Sequence, residues 1–429
     1  MLQLRAWQVG ALAAWEQAAR RGIVAAATGT GKTRLAIEVL RIALANGARA
    51  IVVVPTRLLQ DQWLRELRVA RLAGRRIGTI GGFAPNPSPD DLIIVAVMDS
   101  ARTGARNLIR HWNAAGLPTL LIVDECHWAG SDHNKGVFEG DASWRLGLSA
   151  TPERGDDGFD DVLVPALGPV VYRYSLKDAM DDGVLGDLLL VNLIIDLSQF
   201  ERNEYDSLQA RLNALKNRVA DKHPELFVHQ DWTGAIAAAA PGNVLAKRLN
   251  ALVGERRRLL AKSSSRLSAL RVLIDDGLLD GRRSILFNET IDQAEDVADM
   301  ARGSGARVAI DHSGLRPSDR EAAHRRFRSG AAESLVVVRT ADEGVDVPAA
   351  DQAIIVSGTT NPRQRVQRLG RVVRLGGLRP RAVSLLAHGT LEETVVGSRD
   401  LELLGLGRVL TKSTFPGRAL SPDALFSSP

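Results

Sequence analysis

Cysteine is all but missing from this chain. Cys126 is the only one in 429 residues, which excludes a disulfide framework and a cysteine zinc cluster. A reducing, cytoplasmic compartment is the simple expectation. Aromatic residues make up 4% of the chain, too few for a binding surface paved with base-stacking platforms. No apolar run approaches the roughly 20 residues that a membrane helix needs, so no membrane association is expected. The start, Met1-Leu2-Gln3-Leu4-Arg5, is too polar for the apolar core of a signal peptide. Lysine is scarce as well, at 8 residues against 47 arginines. That imbalance suggests a GC-rich genome, so arginine excess by itself is no mark of a polyanionic partner.

What is present is ordinary in bulk and specific in detail. An apolar fraction of 45%, a charged fraction of 24% and a net charge of +5 belong to a globular chain with room for two or three domains. From Ile23 to about Tyr174, short apolar runs (50–54, 92–97, 120–123, 145–148) alternate with periodic stretches such as 33–44 and 58–69. Near-continuous apolar strands separated by amphipathic helices predict a parallel sheet covered on both faces. A second series begins near Arg282, with strands expected at 284–287, 308–310, 334–338, 352–356 and 382–386. Between the two series, 200–219 and 244–260 have the pattern of long charged helices. The expected architecture is therefore α/β: domain 1 over 1–175, a mainly helical connector or insertion over 176–271, domain 2 over 272–410 and a tail over 411–429. The middle segment could equally be a solvated linker.

Four short strings carry chemistry. In Ala26-Ala27-Thr28-Gly29-Thr30-Gly31-Lys32-Thr33, a strand leads through a glycine loop into a helix. Backbone N–H groups of Thr28, Gly29, Thr30 and Gly31 can converge on phosphates, and the helix N-terminus adds its positive end. Lys32 would reach the β- and γ-phosphates and the Thr33 hydroxyl would ligate Mg²⁺. A plain glycine turn before a helix is the competing reading, and Ala26 stands where the usual pattern has glycine. In Asp124-Glu125-Cys126-His127, an apolar strand delivers two carboxylates. Asp124 would hold Mg²⁺ and Glu125 would orient the attacking water, the positioning that phosphoryl transfer needs. Cys126 is expected to be a buried filler, and His127 a hydrogen-bonding link toward Ser149 and Thr151 in Ser149-Ala150-Thr151-Pro152. The last string, Gln367-Arg368-Leu369-Gly370-Arg371-Val372-Val373-Arg374, places Arg371 and Arg374 on one helical face. Either they form a solvated arginine face or they are presented to a γ-phosphate.

As an ordered set these strings resemble the superfamily 2 helicases and translocases, and within them the XPB-type DNA-dependent ATPases. The resemblance covers about Leu4 to Leu386. It implies two RecA-like domains in tandem, ATP and Mg²⁺ as ligands, DNA as partner, and protein partners that supply targeting or a nuclease. It also implies a bacterial or phage-encoded protein. Leu4-Arg5-Ala6-Trp7-Gln8 resembles the family's adenine-recognition element, with Gln8 on the base edge and Arg5 or Trp7 close by. The resemblance further assigns Gly344 and Asp346 to the nucleotide, and Thr56, Arg57, Gly82, Ser100, His312 and Thr340 to nucleic-acid contact. His127, Ser149, Thr151 and Gln367 would couple hydrolysis to grip. The chain departs from the family at Arg154-Gly155-Asp156, where the XPB-type pattern is Arg-Glu-Asp, which puts a strand-parting role there in doubt.

Overall fold

The computed structural model describes residues 3–72, 76–81, 87–154, 156–228, 232–338 and 350–357, then 365, 368–370, 372, 378–394, 396, 409–413 and 421–426. The chain forms two compact units, the first ending at Asp182 and the second beginning at Gly183.

In the first unit the strands are β1 (Arg21–Ala26), β2 (Arg49–Val54), β3 (Ile77–Ile80), β4 (Ile93–Val97), β5 (Thr119–Asp124), β6 (Trp144–Ser149) and β7 (Val170–Tyr174). They are parallel and lie in the order β3-β4-β2-β5-β6-β1-β7. The inner strands are buried on both faces, as their unbroken apolar sequences require: Ala50 to Val54 and Leu120 to Val123 are essentially inaccessible. Burying each such Val, Leu or Ile contributes about 1.5–3 kcal/mol, which is why these runs cannot serve as one-sided strands. Helices α1 (Ala6–Gln17), α2 (Lys32–Ala45), α3 (Arg57–Val69) and α4 (Met98–Ala114) belong to this unit, as do the short α5 (Val164–Leu167) and α6 (Leu176–Asp181). Each long helix turns an apolar stripe inward; on α2 it is Leu35, Ala36, Val39, Leu40 and Ala43.

The second unit repeats the plan with β8 (Leu189–Ile195), β9 (Ser284–Asn288), β10 (Val308–Asp311), β11 (Ser334–Val338), β12 (Gln352–Ile355), β13 (Arg381–Ala387) and β14 (Val409–Ser413). Their order is β10-β11-β9-β12-β13-β8-β14, again parallel. Two sequence expectations change here. The segment 176–271 is not wholly a connector, because β8 inside it is an inner strand of the second sheet, paired on one side with β13. The residues past 410 are not simply a tail, since β14 pairs with the other side of β8. Neither pairing is local, so no pattern within either stretch announces it.

The helical part of that segment stands as expected: α7 (Gln199–Lys222), α8 (Trp232–Ala239) and α9 (Val244–Ala261) close around Leu212, Val219, Ile236, Leu249 and Val253. A capping box starts α7, with Ser198 and Glu201 exchanging hydrogen bonds. The same Glu201 carboxylate accepts from Ser264 N at 2.6 Å and Ser265 Oγ at 2.7 Å, at the start of α10 (Ser264–Asp275). Burial would raise its pKa, but hydrogen bonds from Ser265, Ser198 and Ser264 outweigh burial and hold it down at about 2. α11 (Ile291–Gly303) and α12 (Pro317–Arg328) complete the unit.

Candidate active site

Sheet order explains why distant strings meet. β5, β6 and β1 are neighbours, and in register Ala25 faces Ser149 while Asp124 faces Leu148. The glycine loop, the acidic pair and the Ser149 element therefore leave the sheet side by side at its carboxyl edge, where open parallel sheets take their ligands.

The loop after β1 has the backbone that only glycine accepts easily, with Gly29 at φ 84° and Gly31 at φ 103°. Gly31 caps α2, so the free N–H groups of the first helical turn open onto the loop. Lys32 is largely buried, and its Nζ donates to the carbonyl of Ala26 at 2.9 Å. The Thr28 hydroxyl is buried with no hydrogen-bond partner among the described residues. Gln8, fully buried on α1, donates to Gly31 O at 2.9 Å and accepts from Arg5 N–H at 2.8 Å. The Arg5 guanidinium donates to Thr30 O at 2.9 Å. The N-terminal helix is thus tied directly to the loop. A Cβ on Gly31 would lie 2.9 Å from Gln8 Nε2, so the contact also forbids a side chain there. Trp7 stacks face to face on Tyr174 at 4.8 Å, leaving 3% of its surface exposed.

Asp124 ends β5 in a buried setting. Its Oδ2 accepts from Trp63 Nε1 at 2.8 Å and its Oδ1 from the Glu125 N–H at 3.0 Å. Burial, followed by the adjacent Glu125 carboxylate, pushes the Asp124 pKa up to about 6 against the opposing pull of Trp63 and Lys32. Glu125 adopts the left-handed conformation at φ 47°, ψ 52°, a strain on the order of 1–3 kcal/mol for a residue with a side chain. Its Oε2 is buried and, among the described residues, makes no hydrogen bond. His127 Nδ1 lies 3.0 Å from Ser149 Oγ and 3.6 Å from Glu125 Oε2. Ser149 Oγ also accepts from the Thr151 N–H at 3.1 Å, while the Thr151 hydroxyl is buried without a hydrogen bond among the described residues. Cys126 packs in the core with its thiol pushed far up by burial, inert as expected.

A divalent cation fits this arrangement. Two adjoining carboxylates, one of them resisting ionisation, gain most from a positive ion beside them. Among the described residues no group of three or more His, Cys, Asp or Glu could hold a metal by itself. Mg²⁺ needs no such cage, because it takes one or two protein ligands together with substrate phosphates and waters. Asp124 and the Thr33 hydroxyl are the donors at hand.

The residues assigned to nucleic-acid contact fare unevenly. Thr56 caps α3, its Oγ1 accepting from Leu59 N–H at 3.3 Å, and Arg57 follows it, exposed. Ser100 is exposed in the first turn of α4, beside Gly81, where a Cβ would lie 2.7 Å from its hydroxyl. His312 is buried instead. Its Nδ1 accepts from Gly314 N–H at 3.2 Å, which leaves Nε2 as the donor to Glu295 Oε1 at 2.8 Å. Both ring nitrogens are used internally, so this side chain orders the Asp311-His312-Ser313-Gly314 turn and has no nitrogen left for a phosphate. Gly82, Thr340, Gly344, Asp346, Gln367, Arg371 and Arg374 lie outside the described residues. Of the last string, Arg368 is fully buried with its guanidinium over the Phe287 ring at 5.2 Å.

Two participants escaped the sequence reading. Trp63 belongs to the inward face of α3 with Gln60 and Leu67, a spacing that shows burial but not that its indole N–H reaches Asp124. Arg154 donates to the carbonyl of His127, a link across 27 residues with no local signal.

Known proteins agree with this geometry. Residues 1–154 match the family described as "Type III restriction enzyme, res subunit", and residues 265–376 match "Helicase conserved C-terminal domain". The "DNA 3'-5' translocase XPB2" of Sulfurisphaera tokodaii is 29% identical over 91% of this chain and 83% of its own length. The "Putative DNA 3'-5' helicase Rad25" of Halobacterium salinarum is 27% identical over 96% of this chain. The "DNA 3'-5' helicase XPB" of Mycobacterium tuberculosis is 24% identical over 82% of it. The chain spans 59% and 55% of the lengths of these last two. A solved structure of S. cerevisiae Dbp5, bound to RNA and ADP BeF3, superposes with a TM-score of 0.61 at 15% identity, covering 95% of this chain and 89% of that one. Two RecA-like sheets in tandem, the ordered motifs and these relatives converge: the chain is similar to the superfamily 2 helicases and translocases, and within them to the XPB-type proteins.

Proposed function

We propose that this chain hydrolyses ATP with Mg²⁺ and uses the cycle to move along DNA in the 3'-5' sense. The observation that carries the reading is the meeting of Lys32, Asp124 and Glu125 at one sheet edge, with His127 bridging toward Ser149. The names of the relatives, translocase and helicase alike, suggest the direction and the DNA.

Each residue has a task in that cycle. Lys32 exchanges the Ala26 carbonyl for phosphate oxygens, and the Gly29–Gly31 loop presents N–H groups to them. Asp124 and Thr33 would hold Mg²⁺, which when bound neutralises charge on the phosphates. Glu125, partly exposed but with its Oε2 buried and, among the described residues, without a hydrogen bond, orients the attacking water. Arg5 and Gln8 would set the base side, and Gly344 and Asp346 would touch the nucleotide. Arg371 and Arg374 would stabilise the γ-phosphate, a role worth on the order of 10³–10⁵ in rate. Thr56, Arg57, Ser100 and Thr340 would hold phosphates of the strand, giving loose sequence preference and strong salt dependence.

ATP hydrolysis measured without nucleic acid, then with single-stranded DNA, duplex DNA and RNA at two salt concentrations, tests the reading. DNA stimulation is expected, and no stimulation by any of them refutes it. Glu125→Gln should abolish turnover while leaving ATP binding intact. A second reading draws on the restriction-subunit family matched by residues 1–154: a motor that travels on duplex DNA without parting it and serves a nuclease or target on another chain. Strand displacement measured beside triplex displacement separates the two.

A further inference from the structure

The segment after Thr151-Pro152 carries Arg154, Asp156 and Gly158, which the chemistry above leaves unused. We propose that Arg154 is a positioning residue for Glu125, bracing from outside the turn that carries this carboxylate, and that Gly158 is the clearance that lets it lie close enough. The inference rests on the ATP-hydrolysing reading of the site.

Arg154 donates to the His127 carbonyl, within the short turn Cys126–Gly130 that begins at Glu125. The rest of its guanidinium is held by Asp156, with Nε 2.6 Å from Oδ1 and Nη2 2.7 Å from Oδ2. Such a two-point pair fixes the plane of the guanidinium as well as its place. The Asp156 side chain is 59% exposed, so the pair adds little stability; its consequence is orientation. Asp156 Oδ1 also accepts from Gly158 N–H at 3.2 Å.

Gly158 has an ordinary helical backbone at φ −62°, ψ −16°, so its conformation does not call for glycine. Space does. A Cβ there would lie 2.1 Å from the carbonyl oxygen of Gly130 and 2.8 Å from Arg154 Nε. A Cβ on Gly130 would likewise meet Arg154 Cδ at 2.6 Å. The two stretches therefore lie flat on each other with glycine on both sides. Glu125 sits at φ 47° without being glycine, and a strained turn persists only where its surroundings over-determine it. Arg154 is one such constraint, applied two residues beyond the carboxylate. Drawn in to 17% exposure, it is a brace and not a wedge standing out between strands.

The test compares Arg154→Lys, Arg154→Ala and Gly158→Ala with the unsubstituted chain. Lysine keeps the charge and loses the fork, whereas Gly158→Ala removes no polar group and only props the segment away. Each should lower DNA-stimulated kcat by on the order of 10- to 100-fold with KM for ATP within about twofold, since ground-state binding is untouched. Amides of residues 126–130 should exchange hydrogen faster in all three, a readout independent of turnover. Unchanged kcat in Arg154→Ala with loss of strand separation alone would overturn the proposal in favour of a wedge. Unchanged exchange at 126–130 would overturn it as well. Failure of the underlying reading shows separately, as absent DNA-stimulated hydrolysis in the unsubstituted chain.

Discussion

Replacing Asp124 by asparagine should make the ligand-free protein more stable at neutral pH, although it removes a residue of the candidate active site. The carboxyl titrates near 3.8 in an unfolded chain and at about 6 when folded. A group whose folded pKa is raised favours the folded state most fully below its unfolded value. That contribution is lost as pH rises through the folded value. Between about pH 4 and pH 7 the wild-type chain therefore forfeits on the order of 3 kcal/mol at this one position. Asparagine keeps an acceptor for Trp63 and has nothing to ionise. Denaturant unfolding followed by tryptophan fluorescence, without Mg²⁺ or nucleotide, reads the comparison at pH 4.5, 5.5, 6.5 and 7.5. The stability difference, variant minus wild type, should grow with pH and level off above about 7. Adding Mg²⁺ and a non-hydrolysable nucleotide should close the gap, because only the wild type gains a cation partner. A difference that stays flat across this range, or shrinks with pH, refutes the account of Asp124 as an ionised group held at a cost until a cation arrives.

Gly31→Ala should lose nucleotide binding, since Cβ would press on Gln8 Nε2 at 2.9 Å and φ 103° is strained for any side chain; equilibrium binding of a fluorescent ATP analogue checks this, and affinity near wild type would contradict it. Arg266 and Glu392 form a pair exposed by only 1% and 6%, so Glu392→Ala should cost about 3–5 kcal/mol by stranding a buried guanidinium. Chemical unfolding of Glu392→Ala and of Arg266→Met/Glu392→Ala measures it, with the double variant expected to recover part of the loss. The Glu201 carboxyl is held down at about 2, so its cross-link of α7 to α10 acts fully above the ordinary carboxylate pKa near 4.5 and fades as pH falls through about 2. Glu201→Gln should narrow the difference in melting temperature between pH 5 and pH 2.5, and an unchanged difference would show that the cross-link is idle.

Local chemistry was legible without coordinates. The glycine loop runs directly into its helix, so the turn at Gly29 and Gly31 and the helix start at Lys32 are set within eight residues of chain. The apolar runs at 50–54, 120–123 and 334–338 declare buried parallel strands, because a segment apolar on every side has to be covered on every side. Order along the chain, loop then acidic pair then Ser149 element, was enough to name the family.

Tertiary structure decided whatever depends on a partner far along the chain. β8 is held in the sheet by β13 on one side and β14 on the other, and a pattern read within one stretch cannot include the stretches that complete it. Trp63 on Asp124, Gln8 on Gly31 and Arg154 on the His127 carbonyl are hydrogen bonds across 61, 23 and 27 residues. Side-chain type shows that such residues can donate, but only the path of the backbone says to whom. His312 makes the same point in reverse: a histidine that sequence places at a phosphate is turned inward by the acceptor and donor it meets, Glu295 and the Gly314 amide.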